Sequence, residues 1–233
     1  MKGKGYAQPS RASWERHLLW SGVLAPLVTA VAIIKASNVD RAVNPLHQSI
    51  SLLMDGPARH FLEVALIASG GLVLLNAWAM GRVVARSRAL SRFQALAGAG
   101  LATTGLFMQH HLPTLHQFAV PSPWGPLTPV GIGHVGGAAI LYAALVGSCW
   151  AEMRRAHRAL GRWVSGVTGL LLTLLLIVFL VTAVANGPDG LFERIIAVVA
   201  VMWEGGLTAG ALNGVRNLRD PYRQSSVGKT GTL

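Results

Sequence analysis

The chain has 233 residues, of which 52% are hydrophobic and only 12% charged, and its mean hydropathy is +0.47. Soluble domains carry about 25% charged residues, so this composition excludes an ordinary soluble fold and points to an integral membrane protein. A net charge of +11 would suggest a nucleic-acid partner in a soluble protein, but the Lys- and Arg-rich cytoplasmic loops of a membrane protein produce the same total.

Residues 1–16 form a basic segment, and six apolar stretches follow near 17–35, 60–81, 93–110, 132–152, 163–187 and 191–213. Each approaches the roughly 20 residues that a helix rising 1.5 Å per residue needs to cross about 30 Å of hydrocarbon. The expected fold is therefore all-α: a polytopic bundle of six transmembrane helices over 17–213, with a polar tail over 214–233. The first stretch is longer than a secretory h-region and no A-x-A cleavage site follows it, so it reads as an anchor.

The basic residues orient the bundle. Lys2, Lys4, Arg11 and Arg16 precede the first stretch; Arg82, Arg86, Arg88 and Arg92 join the second to the third. Arg154, Arg155, Arg158 and Arg162 join the fourth to the fifth, and Arg216, Arg219, Arg223 and Lys229 follow the sixth. Only Lys35, Arg41, Arg59 and Arg194 fall on the other side, so the positive-inside rule places both termini in the cytoplasm. Charge divided among short juxtamembrane loops, with no recognised binding motif, argues against nucleic acid and leaves membrane lipids as the expected partners.

Small residues mark helix contacts. Gly206, Gly210 and Gly214 recur at four-residue spacing, as do Gly133 and Gly137, and the third stretch is rich in Gly and Ala. Such spacing lets helix backbones approach closely in lipid. Packing inside the bundle is the plainer reading; a homodimer or another membrane protein on these glycine faces is the alternative.

Ionisable groups at membrane depth are costly, so those present face the bundle interior or water. His60 and Glu63 share a face at the outer end of the second stretch. Glu193 and Arg194 open the sixth, where a carboxylate is favoured by the helix dipole and Arg194 can pair with Glu63 or reach the headgroups. Glu204 lies about 16 Å further along that helix, on the face of Glu193, and must be protonated, paired or wet, with Asn76, Thr103 and Thr104 as candidate neighbours. Structural hydrogen bonding and the handling of a proton, ion or ligand both remain open for it.

Four of the eight histidines, His110, His111, His116 and His134, lie at or between the ends of the third and fourth stretches. Neutral imidazole ligates zinc, copper or iron, so a metal ion at His110, His111 and His134, completed by Glu63, Glu193 or Asp55, is one reading. Histidines serving only as hydrogen-bonding groups at a wet interface are the other. No H-E-x-x-H occurs, Ser49 and Ser51 lack the G-x-S-x-G elbow, and Gly228-Lys229-Thr230 lacks the first glycine of a phosphate loop. The lone Cys149 sits in an apolar run and reads as a small buried hydrophobe.

Several short motifs carry a family resemblance. Pro45-Leu-His-Gln-Ser49-Ile-Ser51 with Gly56-Pro57, then Ala99-Gly-Leu-Ala-Thr-Thr-Gly105-Leu-Phe, Gly133-His134, and Gly190-Leu-Phe-Glu193-Arg194-Ile195 with Trp203 together resemble the DUF998 family of six-helix bacterial membrane proteins. Where family members often have Phe-Pro-x-Asp, this chain has Phe107-Met-Gln-His110. The resemblance implies a multi-pass protein of the bacterial inner membrane, distantly similar to the eukaryotic Frag1/DRAM membrane proteins. It marks His134, Glu193, Arg194 and the Ser49/Ser51 loop without naming a reaction.

Three functions are compatible with these residues. The first is binding or handling of a lipid or small amphiphile at an outer-face polar site built from Ser49, Ser51, His60, Glu63, His134, Glu193, Arg194 and Glu204. The second is metal-assisted hydrolysis of lipid headgroups, and the third an accessory role in a larger membrane complex.

Overall fold

The computed structural model describes residues 14, 17–41, 43–83, 88–107, 129–185 and 187–219. Among them there is no strand. Six long helices appear in the expected order: α1 (Ser21–Val39), α2 (Arg59–Val83), α3 (Arg88–Leu106), α4 (Pro129–Arg155), α5 (Ala159–Val184) and α6 (Asp189–Arg219). One 3-10 helix, Ile50–Asp55, interrupts the connection from α1 to α2.

Each helix packs on the next, and α1 also packs on α6, so the bundle is a closed ring. Consecutive helices run antiparallel. Ser91, early in α3, donates to the carbonyl of Ala77, late in α2, and a side chain added at Gly105, late in α3, would meet Ile67, nearer the start of α2. Five described helices, all but α3, are long and apolar enough to cross a membrane, and α5 is the most apolar, with mean hydropathy 2.8. Arg88, Arg92 and Gln94 hold α3 below that level, yet it lies alongside α2 for its whole length and so occupies the same depth. Leu170, Leu174, Ile177, Val181 and Val184 of α5 are exposed, as an apolar solvent outside the ring requires. At the arginine-rich end, Arg82 lies over Trp78, 4.2 Å from its ring centroid, the amphipathic pairing expected at headgroup level.

Backbone-to-backbone contact joins α2, α3 and α4. A Cβ at Gly70 would stand 2.6 Å from the carbonyl oxygen of Gly98, and one at Gly100 would stand 2.7 Å from that of Gly137. The glycine stripe of α6 behaves otherwise. A Cβ at Gly206 or Gly210 meets nothing within 4 Å, so these residues do not pack inside the ring, and the expectation of internal packing is corrected for them. The side of Gly214 lies outside the described residues. Four-residue spacing makes close approach feasible but does not say which way a face points, and α6 turns Trp203, Glu204, Leu207 and Thr208 inward instead.

Candidate functional site

The site begins with a loop that α6 holds down. Residues 44–48 form a turn in which Gln48 donates its N–H to the carbonyl of Asn44 at 2.9 Å, and Leu46 donates to the Asn44 side chain at 3.0 Å. Arg194 Nη1 donates to the carbonyls of Pro45 (3.0 Å), Gln48 (2.8 Å) and Gly190 (3.0 Å). Glu193, buried, accepts the backbone N–H of Ile50. Gly190 is required by this docking, because a Cβ there would strike the backbone of Gln48. Arg194 therefore neither pairs with Glu63 nor reaches out to headgroups; its guanidinium ties the 44–48 turn to the start of α6 through backbone carbonyls.

The clamp delivers Ser51 to His134. The hydroxyl of Ser51 lies 3.0 Å from Nε2 of His134. On the other side of the ring, Nδ1 faces two carbonyl oxygens, those of Thr104 (3.1 Å) and Phe107 (3.0 Å), at the end of α3. Carbonyls only accept, so Nδ1 carries the proton and caps orphan acceptors of α3. In the neutral ring, Nε2 then presents its lone pair to the Ser51 hydroxyl, which donates. The same arrangement explains why α3 ends at Leu106, short of the expected 110: Phe107 folds against Gly133 and its carbonyl is taken by His134.

Two voids meet at this pair. A chamber of about 140 Å³ fills the centre of the ring, reached by α1, α2, α3, α4 and α6. A lateral cleft of about 610 Å³ opens between α4 and α5, with Ile132, Val135 and Ala139 on one wall and Leu176, Phe179 and Leu180 on the other. Ser51, His134, Tyr142 and Glu193 line both. At the deep end of the chamber stands Glu204, buried, accepting from Gln94 Nε2 at 2.9 Å. Its partner is therefore neither Asn76, which donates to Thr208 at 3.4 Å, nor Thr103 and Thr104, which bond the carbonyls of Ala99 and Gly100 in their own helix. Glu204 Oε2 and Gln94 Oε1 make no hydrogen bond.

Glu204→Gln removes the buried acid, leaving an uncharged amide that keeps an acceptor for Gln94 Nε2. The expected result is a melting temperature in detergent equal to or above that of the parent. Glu204→Leu orphans the Gln94 donor and lowers stability by about 1–3 kcal/mol.

Of the residues singled out in the sequence, Ser51, His134 and Glu193 come together, Ser49 lines the cleft beside them, and Arg194 stands behind as a staple. His60 and Glu63 do not join them. They pair with each other at 3.3 Å on the outside of α2, with 87% of the His60 side chain exposed. His110, His111, His116 and the side chain of Asp55 lie outside the described residues. Among the described residues no group of three metal-ligating side chains gathers. Tyr142 lines both voids and Gln94 bonds Glu204 at the deep end of the chamber; neither stands out in the sequence, since an aromatic and an amide in apolar helices carry no spacing signal.

The profile of a family described as "Protein of unknown function (DUF998)" matches residues 23–210. This protein belongs to the DUF998 family. The matched region runs from α1 to α6 and contains the loop, the clamp, His134 and both voids. No curated protein and no solved structure matches the chain.

Proposed function

We propose that this DUF998 protein binds a lipid or small amphiphile from the outer leaflet of the bacterial inner membrane. The ring crosses the bilayer six times with both termini inside, which puts Arg82, Arg154 and Arg155 at the cytoplasmic face and the clamped loop at the outer one. The observation that carries the reading is the cleft between α4 and α5. Its walls are apolar, its rim residues Ile132 and Leu180 are exposed to the surrounding lipid, and its inner end is polar through Ser51, His134, Tyr142 and Glu193. A hydrocarbon chain fits the walls, and a head group with hydrogen-bonding atoms fits the end, the usual division of labour in a small-molecule site.

Gly136 lines the cleft, and a Cβ there meets nothing within 4 Å. Gly136→Leu therefore fills the cleft without disturbing a helix contact. Native mass spectrometry of the purified protein is expected to show a retained amphiphile whose occupancy falls about tenfold or more in the variant, the equivalent of about 1.4 kcal/mol. Equal occupancy in both proteins would remove the cleft as the binding place.

A further inference from the structure

We propose that Ser51 is a nucleophile and His134 its general base, so that the site cleaves an acyl ester presented through the cleft; the lipid route rests on the binding function above, the reactive pair does not. The pair has the geometry that serine acyl transfer needs. Oγ is 3.0 Å from Nε2, and two carbonyls fix the ring's orientation and its proton on the far nitrogen, the part played elsewhere by a carboxylate. Three other described serines are spent on backbone carbonyls: Ser148 and Ser165 bond Leu145 and Gly161 in their own helices, and Ser91 of α3 bonds Ala77 of α2. Ser51 is instead aimed at an imidazole 83 residues away in sequence and opens on both voids. Its backbone is held in place by Glu193 at the neighbouring Ile50.

In the step, Ser51 Oγ forms a bond to the ester carbonyl carbon while its proton passes to His134 Nε2. The bond from that carbon to the leaving alkoxide then breaks, and Nε2 returns the proton to release an alcohol. Water, for which the central chamber has room, repeats the sequence on the acyl-serine and frees a carboxylic acid.

A fluorophosphonate tests the pair directly, because Oγ displaces fluoride from phosphorus and leaves a stable adduct. The intact protein in detergent is treated with a short-chain and a long-chain alkyl fluorophosphonate, and peptide mass spectrometry locates the adduct. The expected result is an adduct on Ser51 that is lost in Ser51→Ala and forms about a hundredfold more slowly in His134→Gln. Ser51→Cys guards against misfolding as the cause: it is expected to elute as the parent does and to react with a small thiol reagent. No adduct on Ser51 with either probe, in protein that still melts cooperatively, overturns the proposal even if an amphiphile is bound. Reaction with the short probe but not the long one upholds Ser51 as nucleophile and sinks the cleft as the lipid route.

Discussion

Gly100→Leu is expected to cost about 3 kcal/mol or more and to collapse the elution peak of the detergent-solubilised protein after mild heating. A Cβ at this position would lie 2.6 Å from the backbone nitrogen of Leu141 and 2.7 Å from the carbonyl oxygen of Gly137. Both are main-chain atoms, so no neighbouring side chain can rotate to make room, and α3 and α4 must separate. Overpacking costs typically 1–3 kcal/mol where side chains adjust, and a rigid obstacle puts this site at or above that range. In lipid the separated helices also lose dispersion contacts that no hydrophobic drive replaces. Gly206→Leu is the control. With nothing within 4 Å of its Cβ, it is expected to shift stability by no more than about 0.5 kcal/mol. If the two variants melt alike, the ring packing described for α3 is wrong.

Glu193→Ala is expected to lower stability by about 2 kcal/mol and to abolish amphiphile retention. The substitution leaves the N–H of Ile50 without its acceptor in a part-buried setting, which costs about 1–3 kcal/mol. It also frees Ser51, one residue on, from its position against His134. Hydrogen exchange at the Ile50 amide reads the first effect and native mass spectrometry the second. Glu193→Gln keeps a carbonyl acceptor and is expected to preserve most of the amide protection. Unchanged exchange in Glu193→Ala would mean that Arg194, through Pro45 and Gln48, suffices to hold the loop.

The helices were legible because their signal is collective. About twenty apolar residues and flanking arginines survive any local exception, and even α3, diluted by Arg88, Arg92 and Gln94, is legible from its own apolar stretch near 93–110. Contacts between helices were less legible. The regular stripe Gly206 and Gly210 faces outward, whereas Gly70, which belongs to no such repeat, meets Gly98 across the α2–α3 junction. Spacing reports a small-residue surface; direction depends on where the larger inward residues sit, here Trp203 and Leu207.

The site was half legible. His134, Glu193, Arg194 and Ser51 stood out through a family resemblance, but their roles did not, because those roles are pairings across long separations. Glu193 looked like a helix-dipole partner and is a loop anchor. His60 and Glu63 share a helix face as their spacing requires, but that face points out of the ring. A histidine-rich connection drew attention to metal chemistry, while in the structure His134 spends one nitrogen on α3 and offers the other to Ser51.

The closure of the ring by α1 and α6 sets the order in which the protein can be made. Ile50 and Glu193 are 143 residues apart, so the loop that carries Ser51 enters the membrane long before the helix that will hold it. Until α6 inserts, the loop has neither Glu193 nor Arg194, and α1 and α2 lack the partner that Asn76 finds in Thr208. Non-local contacts of this kind form late because the intervening chain must first be placed. Assembly of Ser51 against His134 thus waits for the last helix, and a chain stalled during synthesis carries an open ring without a site.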